Sequence, residues 1–444
     1  MAQQHSENRS NRLLALLALI LSTVGASSMA YYHLGLFIPR MLVARAAGGL
    51  GNGYSWGDDF HPVWLTAREA ITEHRDPYSP EITRQLQIGV FGRPLDARNP
   101  QDPPVEYRQF AYPAFTDLVM WPGALLPFPQ LRIMLALLLP LLIITTLGFW
   151  TRALGWQLET LWFAVLVLLA LTTYEVLEAL FAEQLGLFVA VFLAGAAVAI
   201  REERLLLAGS LTALTLMKPE TSGLAILYLL LWSVSDRRRS RFWQGFLIVS
   251  LALVGGSVLA WPHWIAEWIH IVLGYTRYAQ PPLIQVLLGK SVPPYFGRTI
   301  IVGLIGAGLV LAWRNRAEGA QSWSFWFTLC LLLAITSIAI LPGQAIYDHI
   351  ILIPGIFLVV LHRRRLIAAG PLPRAMLFAG AIVLFWPWIA ASLLLILRNR
   401  LPDSVFYSPA LFTLPIRTAV SLPFAVLALL WWTWRVTPRD PGPS

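Results

Sequence analysis

Apolar runs of membrane-spanning length recur along this chain, and that recurrence constrains its fold more than any other feature. Runs near 13–36, 132–150, 159–174, 185–200, 205–217, 221–234, 242–261, 297–313, 323–341, 350–361, 375–397 and 418–434 read as helices. A helix rises ~1.5 Å per residue, so ~20 apolar residues cross a hydrocarbon layer of ~30 Å. Only 13% of the residues are charged and 57% are hydrophobic, with mean hydropathy +0.62, far from the balance of a soluble domain. The 19 tryptophans suit side chains that anchor at bilayer interfaces. The expected fold class is an all-α polytopic membrane protein of about twelve transmembrane helices with a helical first outer loop.

Arginine orients the chain. The clusters "REER" (201–204), "DRRRSR" (236–241), "RNR" (314–316) and "HRRR" (362–365) fall on one side, while loops 175–184 and 342–348 carry no Lys or Arg. The positive-inside rule puts the clusters and both termini in the cytoplasm and loop 37–131 outside, as in a multi-pass protein of the plasma (inner) membrane. The net charge of +9 is therefore topogenic, and no nucleic-acid partner is expected. Segment 112–129 is apolar but holds internal prolines and Asp117. Counted as a span it would invert every later loop, so it reads as a short helix dipping into the outer leaflet. The N-terminus has signal-peptide features, but its apolar stretch runs on to Ile38, as a retained span would. The single cysteine, Cys330, allows no intrachain disulfide.

The chain reads as one membrane-embedded domain, 1–444, with 37–131 as its main soluble element. In that loop a glycine-rich piece (47–54) precedes an amphipathic helix over 60–75 that ends at "DPY". Ser79-Pro80 opens another helix, and proline-rich 99–107 is coil. Several central runs are too short to cross. The thirteen residues Leu205–Met217 span about 20 Å. The turns "KPE" (218–220) and "EALFAEQ" (178–184) should therefore lie below the outer surface and line an outward-opening hollow.

"GDDFHPVW" (57–64) places two adjacent carboxylates at the mouth of that hollow. Asp59 has two readings: an N-cap for the helix that follows, or a general base for an acceptor hydroxyl. A second acid, Asp58, exceeds what a cap needs, and adjacent like charges raise one partner's pKa. His349 and Asp348 open a late helix, either as a polar cap or as an ionisable pair kept at membrane depth for a function. Lys218 reads as a snorkelling lysine or as a cation for a departing phosphate. Arg108 is a solvated loop arginine or a second such cation.

The stretch "DFHPVW", then "A-x-x-A" and "DPY", resembles the first outer loop of glycosyltransferase family 87, polyprenyl-phosphate-mannose-dependent mannosyltransferases of the GT-C class. "FAYP" (110–113), "EQ" (183–184), "AGSLTALTLMKP" (208–219) and "YDHIILIP" (347–354) resemble further elements of that family in order. The resemblance implies a GT-C bundle and Asp59 as catalytic base with Asp58 accessory. It places His349, Lys218, Arg108, Glu183, Gln184 and Tyr112 about the donor phosphate and substrate. It also implies an inverting transfer of a sugar, mannose by the family's pattern, from a polyprenyl-phosphate donor to a hydroxyl of a glycolipid or glycan outside the membrane. Two positions depart from the family pattern. Ala114 replaces the second proline of "YPP", and Glu183 replaces the glycine of "GQ", where it sits near the sugar or pairs with Lys218.

No cofactor is expected, because cationic side chains already match a monophosphate leaving group. Asp58, Asp59 and His61 form the one cluster with metal-ligand character, without a third outer acid, so no metal is assigned. "GKS" (289–291) lacks the upstream glycine of a phosphate loop. The alternatives are a transporter or flippase of lipid-linked sugars, which would show repeated halves, and a scaffold without activity.

Overall fold

The computed structural model describes residues 2–47, 56–275, 277–289 and 291–437, with side chains from residue 11 onward. Most of the glycine-rich piece 47–54, and Lys290 of "GKS", lie outside the described residues. Helix makes up 76% of the chain. Among the described residues there is no strand, only an isolated bridge between Pro282 and Pro342.

The first span runs from α1 (Ala2–Ala30) through a π-helical turn (Tyr31–Phe37) into α2 (Ile38–Ala47). The outer segment then folds as α3 (His61–Thr72), α4 (Pro80–Phe91) and α5 (Phe115–Ala124). There follow α6 (Phe128–Ala153), α7 (Thr160–Leu171), α8 (Tyr174–Ala182), α9 (Gly186–Arg201), α10 (Leu205–Leu214), α11 (Pro219–Val234) and α12 (Ser240–Ala260). The last part holds α13 (Trp264–Tyr275), α14 (Leu283–Leu288), α15 (Pro294–Arg314), α16 (Trp323–Ala339), α17 (Ile353–Leu361), α18 (Arg363–Ala368) and α19 (Pro371–Arg398). Two one-turn helices, α20 (Asp403–Phe406) and α21 (Pro409–Phe412), precede α22 (Leu422–Val436).

Each of the twelve apolar runs overlaps a helix. Among the described residues five helices are long and apolar enough to cross a membrane: Asn11–Ala47, Phe128–Ala153, Arg237–Ala260, Pro294–Arg314 and Pro371–Arg398. Their outer faces carry bare hydrocarbon, such as Leu137 (71% exposed) and Leu259 (89% exposed), which only a lipid environment would leave uncovered. The shorter apolar helices α9 and α16 are buried along most of their length. Lipid offers no hydrophobic drive between helices, so close packing through small residues does the joining. A Cβ on Gly209 of α10 would collide with the Phe242 carbonyl of α12, and one on Gly245 of α12 with the Leu206 carbonyl of α10.

One expectation is corrected. Residues 175–184, read as a loop, are mostly the helix α8, which bends 63° from α7. The Thr173 hydroxyl caps it, accepting from the Val176 N–H at 3.2 Å.

In the outer segment Ser79 caps α4 by accepting from Ile82 N–H, and residues 99–107 are irregular as expected. Segment 112–129 contributes the short α5, tied to α3 by a 2.9 Å bond from the Thr66 hydroxyl to buried Asp117. The helix α13, not foreseen, closes the other side: the Trp268 indole N–H donates to the Ala111 carbonyl at 3.0 Å.

Candidate active site

Asp59 is positioned by a backbone graft onto the end of α8. Gly57 N–H donates to the Phe181 carbonyl at 2.9 Å and Asp59 N–H to the Ala182 carbonyl at 3.2 Å. The graft needs glycine at 57, where φ is +75° and a Cβ would stand 2.7 Å from a Glu183 carboxyl oxygen. Residue 59 is thereby held against the turn that carries Gln184. The capping reading of Asp59 does not apply: α3 begins after Phe60 with no side-chain cap.

Both carboxylates instead meet Arg108. Its guanidinium donates to Asp59 at 3.1 Å and, more closely, to Asp58. With 15% of its side chain exposed, Arg108 is no solvated loop residue. It holds a left-handed backbone, φ +70°, costly for a residue with a Cβ. The two acids differ in access: 24% of the Asp59 side chain is exposed, against 8% for Asp58. Burial pushes Asp58 up to about 7; Arg108 opposes that rise and Asp59 adds to it. Asp59 is the more solvent-accessible of the two acids.

The second oxygen of Asp59 accepts from the Gln184 amide. The amide oxygen of Gln184 accepts in turn from the Lys218 ammonium at 3.3 Å. That ammonium also donates to both oxygens of Asp348, at 2.7 Å each. Lys218 is 4% exposed and Asp348 1%, so this is a buried ion pair and not a snorkelling lysine. Asp348 comes from the 3-10 turn Ile346–Leu352, followed by His349, whose buried Nδ1 has no hydrogen-bond partner among the described residues. A Cβ on Gly186 would run into Asp348 and lie 3.7 Å from the Lys218 nitrogen. Glycine there lets α9 approach the pair.

Glu183 does not pair with Lys218. It stands at φ +54°, the left-handed position at the end of α8, which glycine usually fills. Its fully buried carboxyl makes no well-formed hydrogen bond, though the Trp56 indole and the Arg132 guanidinium face it. Arg132 lies 4.7 Å from the Trp56 ring centroid. His61 packs on Phe128 and Trp64, with centroids 5.0 and 5.8 Å apart. Among the described residues no three His, Cys, Asp or Glu side chains are placed to hold a metal ion.

Tyr112, Tyr275 and Tyr347 share the electrostatic field of Asp59. Burial and Asp59 keep the Tyr112 phenol well above its ordinary range, so it stays a donor. Exposed Glu220, two residues past Lys218, faces Lys218 and Asp348. Of this group the sequence marks Asp348 only beside His349, Tyr347 only within "YDHIILIP" and Glu220 only within the turn "KPE", and Tyr275 not at all; no local spacing links them to Asp59. A separate cleft of about 330 Å³ opens in the outer segment between α4 and residues 105–109, with Thr83, Arg84, Glu106 and Gln109 in its walls.

The family model for glycosyltransferase family 87 matches residues 110–400, more than half of the 444 residues. The chain belongs to glycosyltransferase family 87. As a member of that family it is a membrane glycosyltransferase, using a sugar donor and an acceptor in a lipid bilayer. The match to family 87 takes in Tyr112, Gln184, Lys218 and His349 and starts just after Arg108, so Asp58 and Asp59 lie outside it. No curated protein and no solved structure matches the chain.

Proposed function

We propose that this family 87 chain transfers mannose from a polyprenyl-phosphate donor to a hydroxyl of a glycolipid or glycan, with inversion, on the outer side of the plasma membrane. The carrying observation is Asp59: a reachable carboxylate held on one oxygen by Arg108 and on the other by Gln184. A general base must be oriented and within reach of the proton it takes. In the reaction the acceptor O–H gives its proton to Asp59 while its oxygen bonds to the anomeric carbon. The bond from that carbon to the phosphate oxygen breaks, and its electron pair leaves on the phosphate.

His349 and the Tyr112 hydroxyl are the donors for that phosphate, which as a monophosphate ester needs no metal. Glu220, exposed beside Lys218 and Asp348, accepts from sugar hydroxyls, and the cleft beside residues 105–109 suits further sugars of the acceptor. The whole chain acts as one GT-C bundle in which the short helices complete twelve passes. Both termini and the arginine clusters are cytoplasmic, and loop 37–131 roofs the site.

The test is to incubate membranes containing the protein with radiolabelled polyprenyl-phosphate mannose. Label appearing in a new glycosidic product supports transfer. Reorientation of the labelled lipid across vesicles without any product would favour a transporter and contradict the proposal.

A further inference from the structure

Lys218 looks at first like the cation that should grip the donor's phosphate, but its hydrogen bonds are already spent. An ammonium has three N–H donors and no acceptor. Those of Lys218 meet three oxygens: both of Asp348 at 2.7 Å and the Gln184 amide oxygen at 3.3 Å. Its charge is matched at contact by Asp348, and all three side chains are almost wholly buried, Gln184 and Asp348 at 1% exposure. A phosphate reaching Lys218 would have to break a buried, bidentate ion pair.

What Lys218 does accomplish follows from the chemistry of the amide. Only the oxygen of Gln184 can face an ammonium, because an NH2 group there would set donor against donor. With the oxygen turned to Lys218, the NH2 must point the other way, where Asp59 accepts from it. The orientation of the amide is therefore set by Lys218, and the place of Lys218 by Asp348. Gly186 leaves just enough room for that pair.

We infer that Asp348 and Lys218 are positioning residues. Through Gln184 they aim and hold the Asp59 carboxylate, and Lys218 does not touch the donor's phosphate. The inference rests on the proposed reading of Asp59 as the base.

A positioning role and a phosphate contact move different constants. Losing a group that aligns the base lowers kcat and leaves donor binding alone; losing a phosphate contact made in the ground state raises KM. The experiment measures kcat and KM for polyprenyl-phosphate mannose in the full-length protein and in Gln184→Met, Lys218→Met and Lys218→Met/Asp348→Leu. The double variant is included because Lys218→Met alone strands a buried carboxylate, whereas an apolar pair does not. The expected result is a fall in kcat of about 10- to 100-fold in Gln184→Met and in the double variant, with donor KM within about twofold of wild type.

A rise in donor KM of tenfold or more with kcat preserved, in either Lys218 variant, would overturn the inference. So would an unchanged kcat in Gln184→Met. Wild-type turnover, measured alongside, tests the donor assignment itself, and the split between the two constants tests this inference.

Discussion

Asp58 and Asp59 share one counterion, the guanidinium of Arg108, which reaches Asp59 at 3.1 Å and Asp58 more closely still. Two negative charges against one positive cannot both be fully compensated. The imbalance falls on Asp58, the more buried acid, whose pKa burial raises to about 7. A carboxyl with a raised folded-state pKa keeps a proton that the unfolded chain has released. Between about pH 4 and 7 the native state therefore binds more protons, and stability falls as pH rises through that window. The detergent-solubilised protein should lose Tm from pH 5 to pH 8 by more than Asp58→Asn does. Parallel Tm–pH curves for the two proteins would contradict this.

Removing Arg108 strands both acids. Arg108→Ala should lower transfer by about 10- to 100-fold, since Asp59 then loses the guanidinium that orients it. Arg108→Lys should recover only part of the rate, because a point charge cannot fork across two carboxylates. Steady-state rates over pH 5–9 check this, and full activity in Arg108→Lys would show that the fork is unimportant.

Gly57 and Gly92 make a matched pair. Both have positive φ, +75° and +73°, but a Cβ at 57 would meet Glu183 and Arg132 while one at 92 meets nothing within 4 Å. Gly57→Ala and Gly92→Ala should each cost about 1–2 kcal/mol of backbone strain. Only Gly57→Ala should also abolish most transfer, because the graft of Asp59 onto α8 fails. Thermal melting together with activity separates the two, and equal activity in both variants would sink the graft argument.

The crossing of α10 and α12 is as demanding. Gly209→Val should prevent assembly, since the side chain would enter the Phe242 carbonyl, while Gly255→Ala, with nothing within 4 Å, should be tolerated. Yield and monodispersity after solubilisation are the readout, and a monodisperse Gly209→Val would contradict the packing described.

Much of this was legible in the chain itself. Apolar runs announced the helices because a bilayer demands them, and the short run Leu205–Met217 drew attention to the turn at Lys218, which is buried in the bundle. The helix α8 was missed since Glu175 and Glu178 interrupt its apolar face, although Thr173 was an available cap signal. Asp348 was noted beside His349 but not as the partner of Lys218, because the pair spans 130 residues. No periodicity or spacing encodes a contact of that range. The capping reading of Asp59 was reasonable from local sequence; what displaced it was Arg108, 49 residues away. Glu183 shows the opposite limit: its replacement of glycine was visible, but only the backbone angle reveals that it occupies a left-handed position.

The most direct test of the account is the transfer rate of Asp59→Asn, read from radiolabelled polyprenyl-phosphate mannose into product and normalised to folded protein. Asparagine preserves the shape of the side chain but cannot accept the acceptor's proton. Transfer should fall by about 10²- to 10⁴-fold, as loss of a general base does, with donor binding retained. Transfer at the wild-type rate in Asp59→Asn would contradict it.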